Sequence, residues 1–363
     1  MADTTIDNTT GSQPNRPDNW AVLFALGFAA GIGVILAVSS LSDQGSLTGY
    51  LRSDRLSGDE RPTARVSLSL LPTDLNAPLD TATDQTDDAT TRPRATNRRL
   101  SPSGDAMTVA DLESEFTALN YRLDDIRAQT MTVPRVITVS VPGDLEEIQE
   151  IDRRKAVFFK MLLPLVLITN ERLVVDRNRL EALREREMTG KSITAGDAAW
   201  MAKQFESYRV EAGQWDLLLR RVDEVPPSLA LAQAAVESGW GTSRFAREGN
   251  ALFGQWVWGE GAEGLVPEQR KDGLTHKIKV FETPLEAVAA YIKNLNTHRA
   301  YRSLRDIRAK MRREGSTLNG AALAAGLESY SEKGHEYIEL IRGIISANEL
   351  RPLDKAKLRN PQA

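Results

Sequence analysis

The sequence predicts a mainly α chain of the α+β kind, with a small β-lobe, held behind one transmembrane helix and a disordered tether. Three observations predict it. Residues 20–41, "WAVLFALGFAAGIGVILAVSSL", contain no charge. Residues 42–108 are rich in Thr, Asp, Ser, Pro and Arg and poor in apolar clusters. From about residue 132 onward most segments have apolar residues at helical spacing, and only 133–142 and 255–282 have an extended character.

Composition narrows the chemistry before any motif is considered. The 363 residues carry 46 Lys and Arg against 50 Asp and Glu, a formal net charge of −4. No basic patch interleaved with aromatics follows the pattern of a nucleic-acid binder. With no cysteine, thiolate nucleophiles, thiolate metal sites and disulfides are excluded together. The three histidines, His276, His298 and His335, are scattered and lack metal-ligand spacing, so no metal site or cofactor is expected.

The elements follow in chain order. Residues 1–19 form a short tail. Residues 20–41, at 1.5 Å per residue, are long enough to cross a hydrocarbon core of roughly 30 Å, with Trp20 suited to an interfacial anchor. Asp3, Asp7 and Asp18 against a single Arg16 argue against a cleaved secretory signal. Arg16 before the span and Arg52 and Arg55 after it leave the orientation open. Residues 42–131 read as a tether, because such a composition buries too little apolar surface to offset ordering entropy. As a coil of ~67 residues to position 108, it spans roughly 45 Å root-mean-square. Near 109–130, Val109, Leu112, Phe116, Leu119 and Leu123 share a helical face. That face suits a short coiled coil and self- or partner association, a docking helix, or a solvated helix on its own domain.

Residues 132–225 read as a helical support region. "VPRVITVSVP" begins it as a short strand, and the apolar run Val157–Ile168, broken by Lys160 and Pro164, reads as a kinked core helix too short for a second span. Residues 226–350 follow as the domain with the chemistry, and 351–363 as a polar tail. Thr283-Pro284 with Glu286 is a capping box with proline at the first helical position. Arg302, Arg305, Arg308, Arg312 and Arg313 lie on a basic face that suits either anionic ligands or simple solvation.

The chemistry concentrates in "VPPSLALAQAAVESGWG". Two prolines and Ser228 start a helix of strong formers, which runs to Glu237 and stops at glycine. A carboxyl in a last turn faces the negative end of the helix dipole, and a neighbouring indole such as Trp240 can exclude water. Both effects raise its pKa, as a general acid acting near neutral pH requires. A loop-capping or salt-bridging glutamate fits the same pattern.

The run "AAVESGWGTSRFAREGNALFGQW" resembles the glucosaminidase-like domains of glycoside hydrolase family 73, where E-S-x-x-G is followed by N-x-F-G. "VPPSLALAQAA", "NLNTHRAYRSLRDIRA" and "YSEKGHEYIELI" further resemble the Bax-like bacterial members, over roughly residues 132–350. The resemblance implies a lysozyme-like helical domain that hydrolyses N-acetylglucosaminyl bonds in peptidoglycan glycan strands. It implies Glu237 as the acid and Tyr330 as the tyrosine near the sugar's acetamido group. Ser238, Trp240, Asn250, Phe253, Gly254 and Tyr337 would contact or shape the cleft, and loop packing explains several of them equally well. The family's second carboxylate matches Glu268 first, then Glu263 and Glu260. Without one, the substrate's acetamido oxygen is the alternative nucleophile.

A peptidoglycan substrate places the domain in the periplasm, on a single-pass inner-membrane anchor. Three rivals stand beside a glucosaminidase. A lytic transglycosylase also uses one acid, but its G-A-x-G-L-M-Q continuation is replaced here by "NALFGQW". A stem-peptide amidase conflicts with the missing cysteines and scattered histidines. A wall-binding module without turnover would keep the cleft alone.

Overall fold

The structure is a computed structural model that describes residues 98–100, 107–258, 261, 263–267, 276–331 and 333–360. The expected span at 20–41 lies outside the described residues. Among the described residues no helix is long and apolar enough to cross a membrane. The architecture is mainly helical with a small antiparallel sheet.

The longest element is helix α3, Ile151–Met188. Its first half, from Val157 to Asn170, is almost continuously buried, and Pro164 is accommodated inside the helix. Its second half alternates between buried Leu173, Leu180 and Leu183 and exposed charged residues, as a helix with one solvated face must. Against α3 packs α1, Val109–Ala118, whose apolar face of Val109, Leu112 and Phe116 is buried. Thr108 caps α1 through a reciprocal pair with Asp111. Helix α2, Leu123–Arg127, adds Leu123 and Ile126 to the same core.

Residues 107–131 are therefore part of the folded unit and not the end of a tether. The face expected to be available for a coiled coil or partner is covered by the chain's own long helix. Strand β1, Arg98–Leu100, pairs in parallel with β2, Val136–Thr138, within the stretch read as extended.

Helices α4, Ala195–Ser207, and α5, Trp215–Arg221, lead to α6, Pro227–Ser238, on which every residue is buried. After α7, Arg244–Gly249, the backbone turns to strand. β3, Trp256–Val257, and β4, Gly264–Leu265, flank β5, Lys277–Lys279, in antiparallel register. This is the expected β-lobe, with its own small core of Ala251, Trp256 and Ile278. Helix α8, Pro284–Thr297, starts at Thr283, whose hydroxyl accepts from the Glu286 N–H. In place of the reciprocal bond from the Thr283 N–H, Glu286 Oε2 accepts from the N–H one residue further back, that of Glu282. Helices α9, Arg302–Arg313, α10, Gly320–Leu323, and α11, His335–Ala347, complete the bundle.

The basic face expected on α9 is partly inward. Arg308 is fully buried and donates to the carbonyls of Arg220, Asp223 and Glu224 and to Asn296 Oδ1. Arg305 is buried on the carbonyls of Leu295 and His298, and Arg312 is paired with Asp223 and Glu224. These guanidinium groups satisfy helix ends and loop carbonyls that would otherwise be orphaned in the interior. They tie α9 to the loop that enters α6.

Two contacts distant in sequence hold the start of α6. Asn170 on α3 donates to the Val225 carbonyl and accepts from the Val225 N–H, clamping the residue before the two prolines. Asp354 accepts from the Ser228 N–H and hydroxyl, each at 2.8 Å, and from the Gly320 N–H at 3.1 Å. One carboxylate thus caps α6 and α10 together, replacing the cap expected from Ser228 itself. Of the residues read as a polar tail, 351–360 are docked. Leu353 is buried, and Val133 exchanges backbone bonds with Lys357 and Arg359.

Replacing Asp354 by Ala removes a cap from two helices and leaves buried N–H groups unpaired, so urea unfolding should show a loss of about 2 kcal/mol. A fragment beginning at residue 132 lacks Val109, Leu112, Phe116, Tyr121 and Ile126 from the core. Its thermal transition should lie well below that of a fragment beginning at residue 95, or be lost. Equal transitions would show that the upstream helices only decorate the fold.

Candidate active site

Helix α6 can be enclosed because most of its side chains are small, and α3, α10 and α11 all pack against it. Two longer polar side chains interrupt the run, Gln233 and Glu237, one helical turn apart on the same face. The helix stops directly after Glu237 and Ser238. Gly239, Trp240 and Gly241 are all left-handed, with φ of 59°, 61° and 78°. Ser238 holds this turn, donating to the Ala234 carbonyl and accepting from the Gly241 N–H. A Cβ on Gly241 would lie 2.7 Å from Leu145, so this position requires glycine for both conformation and space. Trp240 is an L-residue in a conformation that glycine prefers. Its indole packs edge-on against Phe158 and Phe159 of α3, with Lys155 over the ring.

Glu237 is 8% exposed. Its Oε1 accepts from the Tyr337 hydroxyl at 2.7 Å, and Oε2 has no hydrogen-bond partner among the described residues but keeps some contact with solvent. Burial pushes the carboxyl up to about 7, the Tyr337 hydrogen bond opposing it in part. The groups around it are tyrosines from four segments: Tyr291 on α8, Tyr301 before α9, Tyr330 before α11, and Tyr337 on α11. Burial holds all four above the ordinary tyrosine range, with the nearby Glu237 adding to it in each case. Tyr330 stacks on Tyr337 with centroids 5.2 Å apart, and Tyr301 lies 5.7 Å from Tyr330. Such a wall removes water without supplying a cation. The carboxyl is therefore set up to keep its proton near neutrality.

The structure thus brings together Glu237, Tyr330 and Tyr337, with Phe253 behind them stacked on Tyr291 at 3.9 Å. It places other expected residues differently. The water-excluding side chains found around Glu237 are tyrosines, whereas the ring contacts of Trp240 are with α3. Ser238 is fully enclosed and braces the turn. Asn250, with φ of 51°, uses its side chain on the Val141 N–H and on the carbonyls of Phe281 and Glu282, pinning three segments together. Gly254, with φ of 58°, turns the chain into β3. Glu263 is exposed at the start of β4. Glu268 and Glu260 lie outside the described residues.

Sequence reasoning missed Gln233, Tyr291 and Tyr301. Gln233 carried a signal, being a long polar side chain one turn before Glu237 in an otherwise small-residue helix. His298 is structural, its Nδ1 accepting from the Ala300 N–H, and His335 is exposed at the start of α11.

A carboxyl raised from 4.5 to about 7 makes folding weaken with rising pH. Below 4.5 folded and unfolded chains are both protonated and the group's contribution is fully present. It is lost as pH rises to and through 7, by up to about 3 kcal/mol. Glu237→Gln, which cannot ionise and can still accept from Tyr337, should therefore be more stable than the wild type at pH 8 and nearly equal to it at pH 4.5. Urea unfolding at the two pH values checks this, and a gain that does not depend on pH would contradict it.

Comparison with known proteins places this geometry in context. The family model described as mannosyl-glycoprotein endo-beta-N-acetylglucosaminidase, a glucosaminidase domain, matches residues 218–350 and so includes Glu237 and the four tyrosines. Protein bax of Escherichia coli (strain K12) is 32% identical over 198 residues, 54% of this chain and 70% of that protein. The catalytic domain of the autolysin Auto from Listeria monocytogenes is 19% identical, covering 48% of this chain and 96% of that domain, with a TM-score of 0.26. With a buried acid inside the matched segment and identity extending well upstream of it, the chain belongs to the bacterial Bax-like family of glucosaminidase-domain glycoside hydrolases.

Proposed function

We propose that this protein is a membrane-anchored peptidoglycan hydrolase that cleaves N-acetylglucosaminyl bonds with Glu237 as general acid. The observation that carries the reading is the Glu237 carboxyl, buried at the end of a helix, held by one tyrosine hydroxyl and raised to about 7. In this role Oε2 delivers its proton to the glycosidic oxygen as the bond breaks. The carboxylate left behind is stabilised by the Tyr337 hydroxyl until water restores the proton. Glu268 remains the first candidate for a second carboxylate. Otherwise the substrate's acetamido oxygen attacks the anomeric carbon, with Tyr330 orienting it. Residues 20–41 anchor the chain in the inner membrane, and the polar segment after them lets the periplasmic domain reach the wall.

The test is mass spectrometry of peptidoglycan digested by the full chain and reduced with borohydride, with Glu237→Gln in parallel. Reduced N-acetylglucosamine ends, lost by about a thousandfold or more in the variant, are expected if the acid supplies its usual share of the rate. Anhydro ends would make the protein a transglycosylase, and freed stem peptides an amidase. No release by a folded chain would leave a binding module.

A further inference from the structure

Glu237 is the end of a line of hydrogen bonds that runs back into the core. The Tyr291 hydroxyl donates to Gln233 Oε1 at 2.7 Å, Gln233 Nε2 donates to the Tyr337 hydroxyl at 3.1 Å, and that hydroxyl donates to Glu237 Oε1 at 2.7 Å. The shorter oxygen–oxygen and longer nitrogen–oxygen distances suit this placement of the amide. A chain of this kind can run in either direction. Reversed, Glu237 would hold its proton on Oε1 and donate it to Tyr337, Tyr337 to the amide oxygen, and the amide nitrogen to Tyr291. The reversed chain would leave the Tyr291 hydrogen without an acceptor. Tyr291 is 1% exposed, and among the described residues its hydroxyl bonds to Gln233 alone.

We propose that Tyr291 and Gln233 are positioning residues that fix the direction of this relay, so that Tyr337 donates to Oε1 and the acid proton resides on Oε2. This rests on the reading of Glu237 as the acid and deepens it. Neither residue touches the reacting atoms. Among the described residues Tyr291 acts as a terminal donor with one acceptor, Gln233 answers it with an N–H aimed at Tyr337, and Tyr337 is left with the carboxyl as its acceptor. The titratable groups facing Glu237 among the described residues are Tyr291, Tyr301, Tyr330 and Tyr337, all neutral at working pH. No charge in that set competes with the relay in setting where the carboxyl titrates.

The experiment follows the Glu237 side-chain carbon by NMR in full-length protein labelled at the glutamate carboxyl, its signal identified by its loss in Glu237→Gln. Tyr291→Phe keeps the ring stacked on Phe253 and removes only the hydroxyl. The relay is then free to reverse, which favours the protonated carboxyl. The Glu237 titration midpoint should rise by about half a pH unit or more, the effect of losing part of one hydrogen bond to the charged form. Turnover should fall about tenfold with KM within about twofold, because substrate contacts are intact. Tyr337→Phe should raise the midpoint at least as far. Adding Tyr291→Phe to Tyr337→Phe should then shift nothing further, since the line is already cut.

A wild-type midpoint in Tyr291→Phe would overturn the proposal, as would shifts that add in the double variant. Because the titration needs no turnover, it decides the relay even if the wild type releases no reducing ends. That second failure would bear on the proposed function alone.

Discussion

Close packing around α6 is the constraint on which the rest of the structure depends. Ala230, Ala232, Ala234 and Ala235 let neighbouring helices approach from several sides, and all twelve residues of α6 are buried. A helix in that position cannot hydrate its ends, so both are satisfied by groups from elsewhere. Asp354 and Asn170 hold the start, and Ser238 with the left-handed turn holds the finish. The same enclosure leaves Glu237 little water. The chemistry of the site thus follows from packing more than from charge.

Asp223 shows how differently another buried carboxyl can behave. It is 3% exposed, and burial alone would push it up as it does Glu237. Arg308, Arg312 and Arg177 lie within ion-pair distance and outweigh that penalty, so it stays ionised and below the ordinary aspartate range. Glu237 meets hydroxyls and rings instead. One carboxyl is held ionised as a structural joint and the other is held toward its protonated form, and the difference lies in the neighbours. Because α9 and α3 supply the arginines while α8, α11 and two connecting segments supply the tyrosines, both outcomes require the bundle to be assembled.

The segment that matches the glucosaminidase model is held in this chain by groups outside it. Helix α3 lies upstream of it and provides Phe158 and Phe159 for Trp240 and Asn170 for Val225. Asp354 lies downstream of it and caps α6. Helices α1 and α2 in turn cover α3 and the C-terminal turn. The residues around the matched segment work as a frame that sets where the acid helix begins and ends.

Local sequence determined the elements whose causes are local. The helix of 227–238 was marked by prolines before it and glycine after it, α8 by its capping box, and the β-lobe by the change of period after Gln255. Glu237 stood out as a lone acid in a run of small residues, and Tyr330 and Tyr337 were legible through resemblance. What only the tertiary structure decided were pairings across long sequence separations. They include Gln233 and Tyr337, Tyr291 and Gln233, Asp354 and Ser228, and the inward turn of Arg305 and Arg308. Trp240 shows the same limit, since its place beside Glu237 in sequence suggested a shield, whereas its left-handed backbone sends the ring to α3. Short-range patterns record periodicity and capping because those interactions join residues three or four apart. Burial and hydrogen-bond direction depend on which distant segment fills the remaining space, and that is known only once the chain has folded.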